Sequence, residues 1–254
     1  MNVCTKVGGK DPLDSSIFGL SKESIVKSIN NSLKRLNTEK VYLVYLHFPD
    51  FKTSLEDTLL GIKYILDNSL AEEWGISNFT VSEILYLYDA LQKMDIKPPI
   101  YFQTLINLVD FNSIYEIVPI AINNKLKVLS WSPLCGGLLT NRASQYQQGK
   151  RFTYDTYWSK YNNNEILKKI YNNHYKNRSI DSLEKISLDF LHFRCNIDCI
   201  VGFESNKQLV EIHEQINEPP FTDFTFYEAL INENMIYPYN LFSFMDISSY
   251  VRNK

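Results

Sequence analysis

Apolar positions along this chain follow two alternating periods. Val41-Tyr-Leu-Val-Tyr-Leu46 carries no charge and predicts a strand buried on both faces, as in a parallel sheet. His47 follows it directly, and Pro49 and Asp50 end it. A shorter strand is expected over Asn2–Val7, ending at Gly8-Gly9. Between the two, Ser21 caps a helix with Ile25, Ile29, Leu33 and Leu36 at helical spacing. Ser54 caps the next helix, with Leu55, Leu59, Ile62 and Leu66 on one side. Glu72–Ile76 reads as a strand ending at Ser77-Asn78. Thr80 and Glu83 form a capping box ahead of Ile84, Leu87, Tyr88 and Leu91.

The pattern continues beyond Pro98-Pro99. It predicts a strand over Ile100–Thr104, a helix over 113–124 bent at Pro119, and a strand over Leu126–Trp131. Ser132–Lys160 is a long irregular connection, a length usually functional or without fixed structure. Helices near 161–176 and 180–194, a strand over Ile197–Val201 ending at Gly202, and a helix capped by Ser205 and Gln208 complete the alternation. That last helix has Leu209, Ile212 and Ile216 as its apolar stripe. A short helix near 226–233 follows in the tail. Strands recurring at roughly thirty residues, each followed by a helix, match the βαβ unit. The chain has no G-x-G-x-x-G, which favours a (β/α)8 TIM barrel over a doubly wound sheet.

The 254 residues suit one domain, and an apolar share of 44% suits a full core. A net charge of −3 with scattered Lys and Arg gives no reason to expect nucleic acid or an anionic membrane as a partner. No apolar run approaches the ~20 residues that span a bilayer. Met1–Lys6 has neither the charged nor the apolar region of a signal peptide. Cys195 and Cys199 could face each other on a helix, but no second pair or nearby His completes a metal site. A reduced, cytoplasmic chain without metal is the expectation.

The candidate chemistry lies where strands end: Lys6, His47, Ser77, Asn78, Gln103, the run Trp131–Thr140, and Gly202 followed by Gln208 and Glu211. Barrels place their chemistry at the carboxyl ends of strands. Taken singly, each residue has an ordinary alternative: a loop histidine, a solvent-facing lysine, a tryptophan in the core. Taken in order, the set resembles the aldo-keto reductase family. Ser32-Leu-Lys-Arg-Leu36, Leu46-His-Phe-Pro-Asp50 and Ser130-Trp-Ser-Pro-Leu134 are similar to that family's most recognisable phrases. Leu-His-x-Pro-Asp, and Arg151-Phe152 with Trp158 downstream, look most like its aflatoxin-aldehyde reductase branch. Trp131-Ser-Pro-Leu also looks like the potassium-channel β-subunit branch.

The resemblance implies a (β/α)8 barrel that binds a nicotinamide cofactor and reduces aldehydes and ketones. The cofactor would be NADPH, with NADH as the alternative. Lys6 matches the family lysine that lowers the pKa of a catalytic tyrosine, since a nearby positive charge favours the phenolate. His47 matches the histidine that hydrogen-bonds the substrate carbonyl. Ser77, Asn78 and Gln103 match the residues that hold the nicotinamide carboxamide. Trp131 matches the aromatic on which the ring stacks. Ser132, Pro133, Leu134, Gly136 and Gly137 match the turn around the pyrophosphate. Arg142 and Arg151 are candidates for phosphate contact, and Gly202, Gln208 and Glu211 match the adenosine end.

Three features depart from the family pattern. Phe203 and Glu204 follow Gly202 where small polar residues are usual, and a carboxylate beside a 2′-phosphate repels it. Ile212 stands where an Asn usually holds adenine. The family's Asp and Tyr have no match, because they belong to a region ahead of the Lys6 strand; Asp155 and Tyr157, in the long connection, cannot take that role. The expectation is therefore a single barrel domain over 1–254, amino-terminally incomplete and lacking its first βα region, with about six of eight strands. NAD(P)H-dependent reduction of a small carbonyl compound is expected in a longer form carrying the Asp and Tyr. The alternative is a non-catalytic, cofactor-binding regulatory subunit resembling the channel β-subunits. An oligomer is compatible with either.

Overall fold

The computed structural model describes residues 2–14, 16–143, 161, 164–176 and 181–234. Arg151, Phe152, Asp155, Tyr157 and Trp158 lie outside the described residues. The strands are β1 (Cys4–Val7), β2 (Val41–Leu46), β3 (Ala71–Ser77), β4 (Tyr101–Leu105), β5 (Lys127–Trp131) and β6 (Asp198–Ile200). They form one six-stranded sheet in sequence order. The pairs β1·β2, β2·β3 and β3·β4 are parallel. Between them lie α1 (Lys22–Leu36), α2 (Leu55–Asp67), α3 (Val81–Met94), α4 (Ser113–Glu116), α5 (Val118–Asn123), α6 (Glu165–Lys176) and α7 (Leu183–Asp189). After β6 come α8 (Asn206–Asn217) and α9 (Thr225–Asn234). Parallel strands alternating with helices are the architecture of a (β/α)8 barrel, of which six strands are present among the described residues.

The chain divides into two compact units, residues 1–104 with 117–129 and residues 105–116 with 130–254. In the first, local chemistry sets the helix ends. Ser21 and Ser54 accept hydrogen bonds from the N–H groups of Ser24 and Asp57. Thr80 and Glu83 make both bonds of the capping box, with Thr80 N–H on Glu83 Oε2 at 2.7 Å. Asn37 and Asp95 end α1 and α3 in the left-handed region that their short polar side chains tolerate. Ile25, Ile29, Leu59, Ile62 and Ile65 turn inward from α1 and α2, and Val44, Leu46, Trp74, Ile76 and Phe102 come from the strands. Full burial of each such side chain contributes about 1.5–3 kcal/mol. Trp74 also satisfies its indole N–H on Lys97 O at 2.7 Å.

Burial in the second unit includes an ion pair. Lys185 Nζ lies 3.0 Å from Asp189 Oδ2, with both side chains almost wholly enclosed. The same ammonium donates to Gln215 O at 3.2 Å, and Asp189 accepts from Phe221 N–H at 2.7 Å. These bonds tie the carboxyl end of α8 and the Pro219-Pro220 segment to α7. A buried charge pair is tolerable when its remaining donors and acceptors are used in this way.

Several expected elements are corrected. The first strand begins at Cys4 rather than Asn2. The expected helix over 113–124 is two short helices that part at Ile117, and Pro119 sits in the first turn of α5, where its missing N–H costs nothing. The helix expected over 180–194 is α7 followed by a π turn, Phe190–Arg194. In α8 the Gln208 side chain accepts from Glu204 N–H at 2.7 Å, so its half of the capping box is displaced by one residue. The expected apolar face of α8 is not buried: Leu209 and Ile216 are exposed. Among the described residues no helix is long and apolar enough to cross a membrane.

Candidate active site

In the first unit, four strand ends converge chemically. Parallel register sets Lys6 opposite Tyr45, Tyr45 opposite Gly75, and Ser77 opposite Gln103. His47 is the first residue after β2, and its N–H donates to Val7 O at 2.9 Å. Asn78, just past β3, has φ of 62°, a left-handed conformation that Asn tolerates better than most residues. Its backbone N–H donates to Gln103 O at 3.0 Å. Its side-chain amide donates to His47 O at 2.9 Å and to Ser77 Oγ at 3.0 Å. The bonds of Asn78 thus join His47, Ser77 and Gln103, and Lys6 lies opposite Tyr45 on the neighbouring strand. Ser77 and Gln103 are buried; Lys6, His47 and Asn78 are half-buried.

Electrostatics follow from this packing. Burial lowers the Lys6 pKa. Burial and then the Lys6 charge lower that of His47, so at neutral pH the imidazole is uncharged and carries a single N–H. A neutral imidazole donates one hydrogen bond, which suits the oxygen of a carbonyl. Asp50 holds the loops after β1 and β2 together. Burial pushes its carboxyl up, but hydrogen bonds from the N–H groups of Leu20 and Lys52 and from the Thr53 hydroxyl outweigh this and hold it below the ordinary carboxylate value. The Leu20 N–H and Thr53 Oγ1 distances to Oδ2 are both 2.8 Å.

Tyr45 is the site residue that reading the sequence missed. It passed as one apolar position in a buried run, yet it sits two residues before His47 and so on the same face of β2. Its side chain hydrogen-bonds that of Gln103, burial raises its pKa, and Lys6 Nζ lies 5.4 Å from its ring centre. A tyrosine at even spacing from the histidine was the available signal.

In the second unit, Trp131 ends β5 and is half-buried, as are Ser132, Leu134, Gly136 and Gly137; Pro133 is buried. Ser132, Cys135, Gly136 and Gly137 all have positive φ, a turn that small residues permit. Asn107 Nδ2 steadies it on Ser132 O at 3.2 Å. Two N–H groups of this turn are bonded within it. Gly136 N–H donates to Ser132 Oγ at 3.2 Å, and Gly137 N–H to Leu134 O at 2.9 Å. Arg142, expected to meet phosphate, holds Glu211 through Nη2 at 2.8 and 2.7 Å. Lys207 lies 3.9 Å from the same carboxylate. Gln208 is occupied at the start of α8, as described above. Gly202 is exposed, and a Cβ there would meet nothing within 4 Å, so packing alone does not require glycine.

The neutral donors and acceptors of Ser77, Asn78 and Gln103 fit a carboxamide, and the half-buried Trp131 fits a stacked ring. A nicotinamide cofactor therefore suits the residues present. A cavity of about 450 Å³ opens elsewhere, before β2, β3 and β4, among Lys40, Lys63, Asp67, Glu72 and Lys97. Its lysines are paired, Lys40 with Glu72 at 2.8 Å and Lys63 with Asp67 at 3.3 Å, and it shares no residue with the network around His47. Among the described residues no cluster of His, Cys, Asp and Glu could hold a metal ion.

A family model described as "Aldo/keto reductase family" matches residues 1–228. A protein of Arabidopsis thaliana described as "Probable voltage-gated potassium channel subunit beta" is 31% identical over 179 residues, 66% of this chain and 53% of its own length. One of Oryza sativa subsp. japonica with the same description is 34% identical over 143 residues, 55% of this chain and 43% of its own. An aldo-keto reductase of Pseudocercospora fijiensis is 29% identical over 151 residues, 58% of this chain and 49% of its own. The chain spans about half the length of the curated relatives it matches.

Proposed function

The chain belongs to the aldo/keto reductase family, and from that premise we propose that it reduces the carbonyl group of a small aldehyde or ketone, in a form that also carries the family's Asp and Tyr. The observation that carries this reading is the network joining His47, Asn78, Ser77 and Gln103 beside Lys6. NADPH, or NADH in its place, supplies a hydride to the carbonyl carbon when bound. In the first unit Ser77, Asn78 and Gln103 would hold its carboxamide; in the second, Trp131 and Ser132–Gly137 are the residues that the family likeness assigns to its ring and pyrophosphate. Arg142, now paired with Glu211, would be the group for its phosphate. His47 donates its N–H to the carbonyl oxygen and stabilises the negative charge that gathers there. Lys6, half-buried and positive, favours the same charge and the ionisation of a neighbouring phenol.

A second reading rests on the two plant relatives described as channel β subunits. In that reading the chain binds the cofactor as a regulatory subunit and reduces nothing.

The test has two arms. Titrating residues 1–254 with NADPH should quench tryptophan fluorescence, and Trp131→Ala should remove most of the signal. A form carrying the Asp and Tyr should reduce nitrobenzaldehyde, and His47→Ala should lower its turnover on the order of 10²–10³-fold. Quenching without reduction selects the regulatory reading, and no quenching in either form rejects both.

A further inference from the structure

Within the first unit, the loop after β1, residues 8–20, is tied down at three points. Gly19 N–H donates to Gly8 O at 3.2 Å and closes its base, and Asp11 N–H donates to Ile17 O at 3.2 Å further along. The third tie is the Asp11 side chain, which carries a charge and is almost wholly buried. Its Oδ1 accepts from Leu13 N–H at 2.8 Å and from Asn31 Nδ2 at 3.2 Å, and Arg35 Nη1 lies 3.5 Å from the same oxygen. All of these ties fall on Oδ1; Oδ2 is enclosed without a hydrogen bond among the described residues. Asn31 and Arg35 are neighbours one turn apart on α1, whose Ile25, Ile29 and Leu33 are fixed in the core. Asp11 therefore fastens the loop to a helix that cannot shift without disturbing the core.

Gly9, two residues before Asp11, is where this loop meets His47. A Cβ on Gly9 would lie 3.1 Å from His47 Nδ1, so the bare backbone packs beside the imidazole. Bonds to Val7 O and from Asn78 fix the His47 backbone, but they do not set the turn of its ring. Resting on the carbonyl reading above, we propose that Asp11 is a positioning residue for His47: by tying the loop to α1 it keeps Gly9 against the imidazole and holds the ring in the orientation from which it donates to a carbonyl oxygen. A misplaced donor loses much of its effect on the charge that develops there. A loosened loop also admits water to a ring that burial, and then the Lys6 charge, hold below the ordinary histidine value. Removing Asp11 should thus raise the His47 midpoint. Loss of the carboxylate charge acting directly through space would lower it, so the sign separates the two effects.

The test uses the full chain with its histidines isotopically labelled, and follows the rings of His47, His174, His192 and His213 through a pH titration. Asp11→Ala should move the His47 resonances and raise its midpoint toward 6.5 by about half a pH unit, with the other three in place. Asp11→Asn, which keeps an oxygen at the Oδ1 position, should retain the values of the unchanged chain. Ile29→Val, a cut in the core face of the same helix, should leave His47 unmoved and so separates positioning from a general loosening. If Asp11→Ala does not fold, Asn31→Ala, which removes one tie, should move His47 in the same direction and by less. An unmoved His47 in whichever of these two variants folds, or a midpoint that falls, would overturn the proposal. In the form carrying the family's Asp and Tyr, Asp11→Ala should lower kcat for nitrobenzaldehyde on the order of tenfold, with KM for NADPH unchanged, and Asp11→Asn should restore it. Full turnover in Asp11→Ala beside a loss in His47→Ala rejects the positioning role alone. Full turnover in both rejects the carbonyl reading.

Discussion

The ring of Tyr45 occupies the space that a side chain on Gly75 would fill: a Cβ at Gly75 would come within 2.8 Å of Tyr45 Cε1 and of Tyr101 O. The glycine lets the ring cross β3 toward Gln103 on β4. Gly75→Ala should therefore strain the sheet and dislodge the Tyr45–Gln103 hydrogen bond. The expected cost is about 1–3 kcal/mol, as for other overpacked core sites. Urea denaturation should show the lowered midpoint. Adding Tyr45→Leu should recover only part of it, because the clash with the Tyr101 carbonyl remains. Full recovery would mean that the ring alone sets the constraint.

His47 gives the fold a dependence on acid. Its pKa lies below the ordinary 6.5 in the folded chain, chiefly through burial. As pH falls through the unfolded value, the unfolded state takes up a proton first, so the native state loses stability between that value and the lower folded one. Above it the group contributes no slope. His174, buried and shifted the same way by burial, adds to the effect. Urea midpoints should fall between about pH 7.5 and pH 5.5, and His47→Gln should flatten part of that fall. An identical slope in the variant would show that His47 titrates alike in both states.

The Arg142–Glu211 pair is about one-third exposed on each side. Its contribution to stability should stay within about 0–1 kcal/mol, as for exposed pairs. Its effect on ligand charge should be larger. Glu211→Gln frees the guanidinium and removes a carboxylate, so NADPH should bind more tightly while the thermal midpoint barely moves. Glu204→Ser should tighten NADPH more than NADH if Glu204 faces the 2′-phosphate. Fluorescence titration with both cofactors measures each effect, and equal gains for the two cofactors would remove Glu204 from the phosphate.

The alternation of strands and helices, the caps at Ser21, Ser54 and Thr80, and the ordered strand-end residues from Lys6 to Gln103 were legible in the sequence. Each depends on neighbours a few positions away along the chain, where period and capping chemistry act. Only the tertiary structure decided which partner each polar group takes. Nothing near Arg142 in sequence points to Glu211, and nothing in the run of β2 points from Tyr45 to Gln103. The register across β2, β3 and β4 does so, because a parallel sheet brings together residues some thirty positions apart. Burial is likewise a through-space property. The stripe of Leu209, Ile212 and Ile216 has the right period for a buried face yet stays largely open.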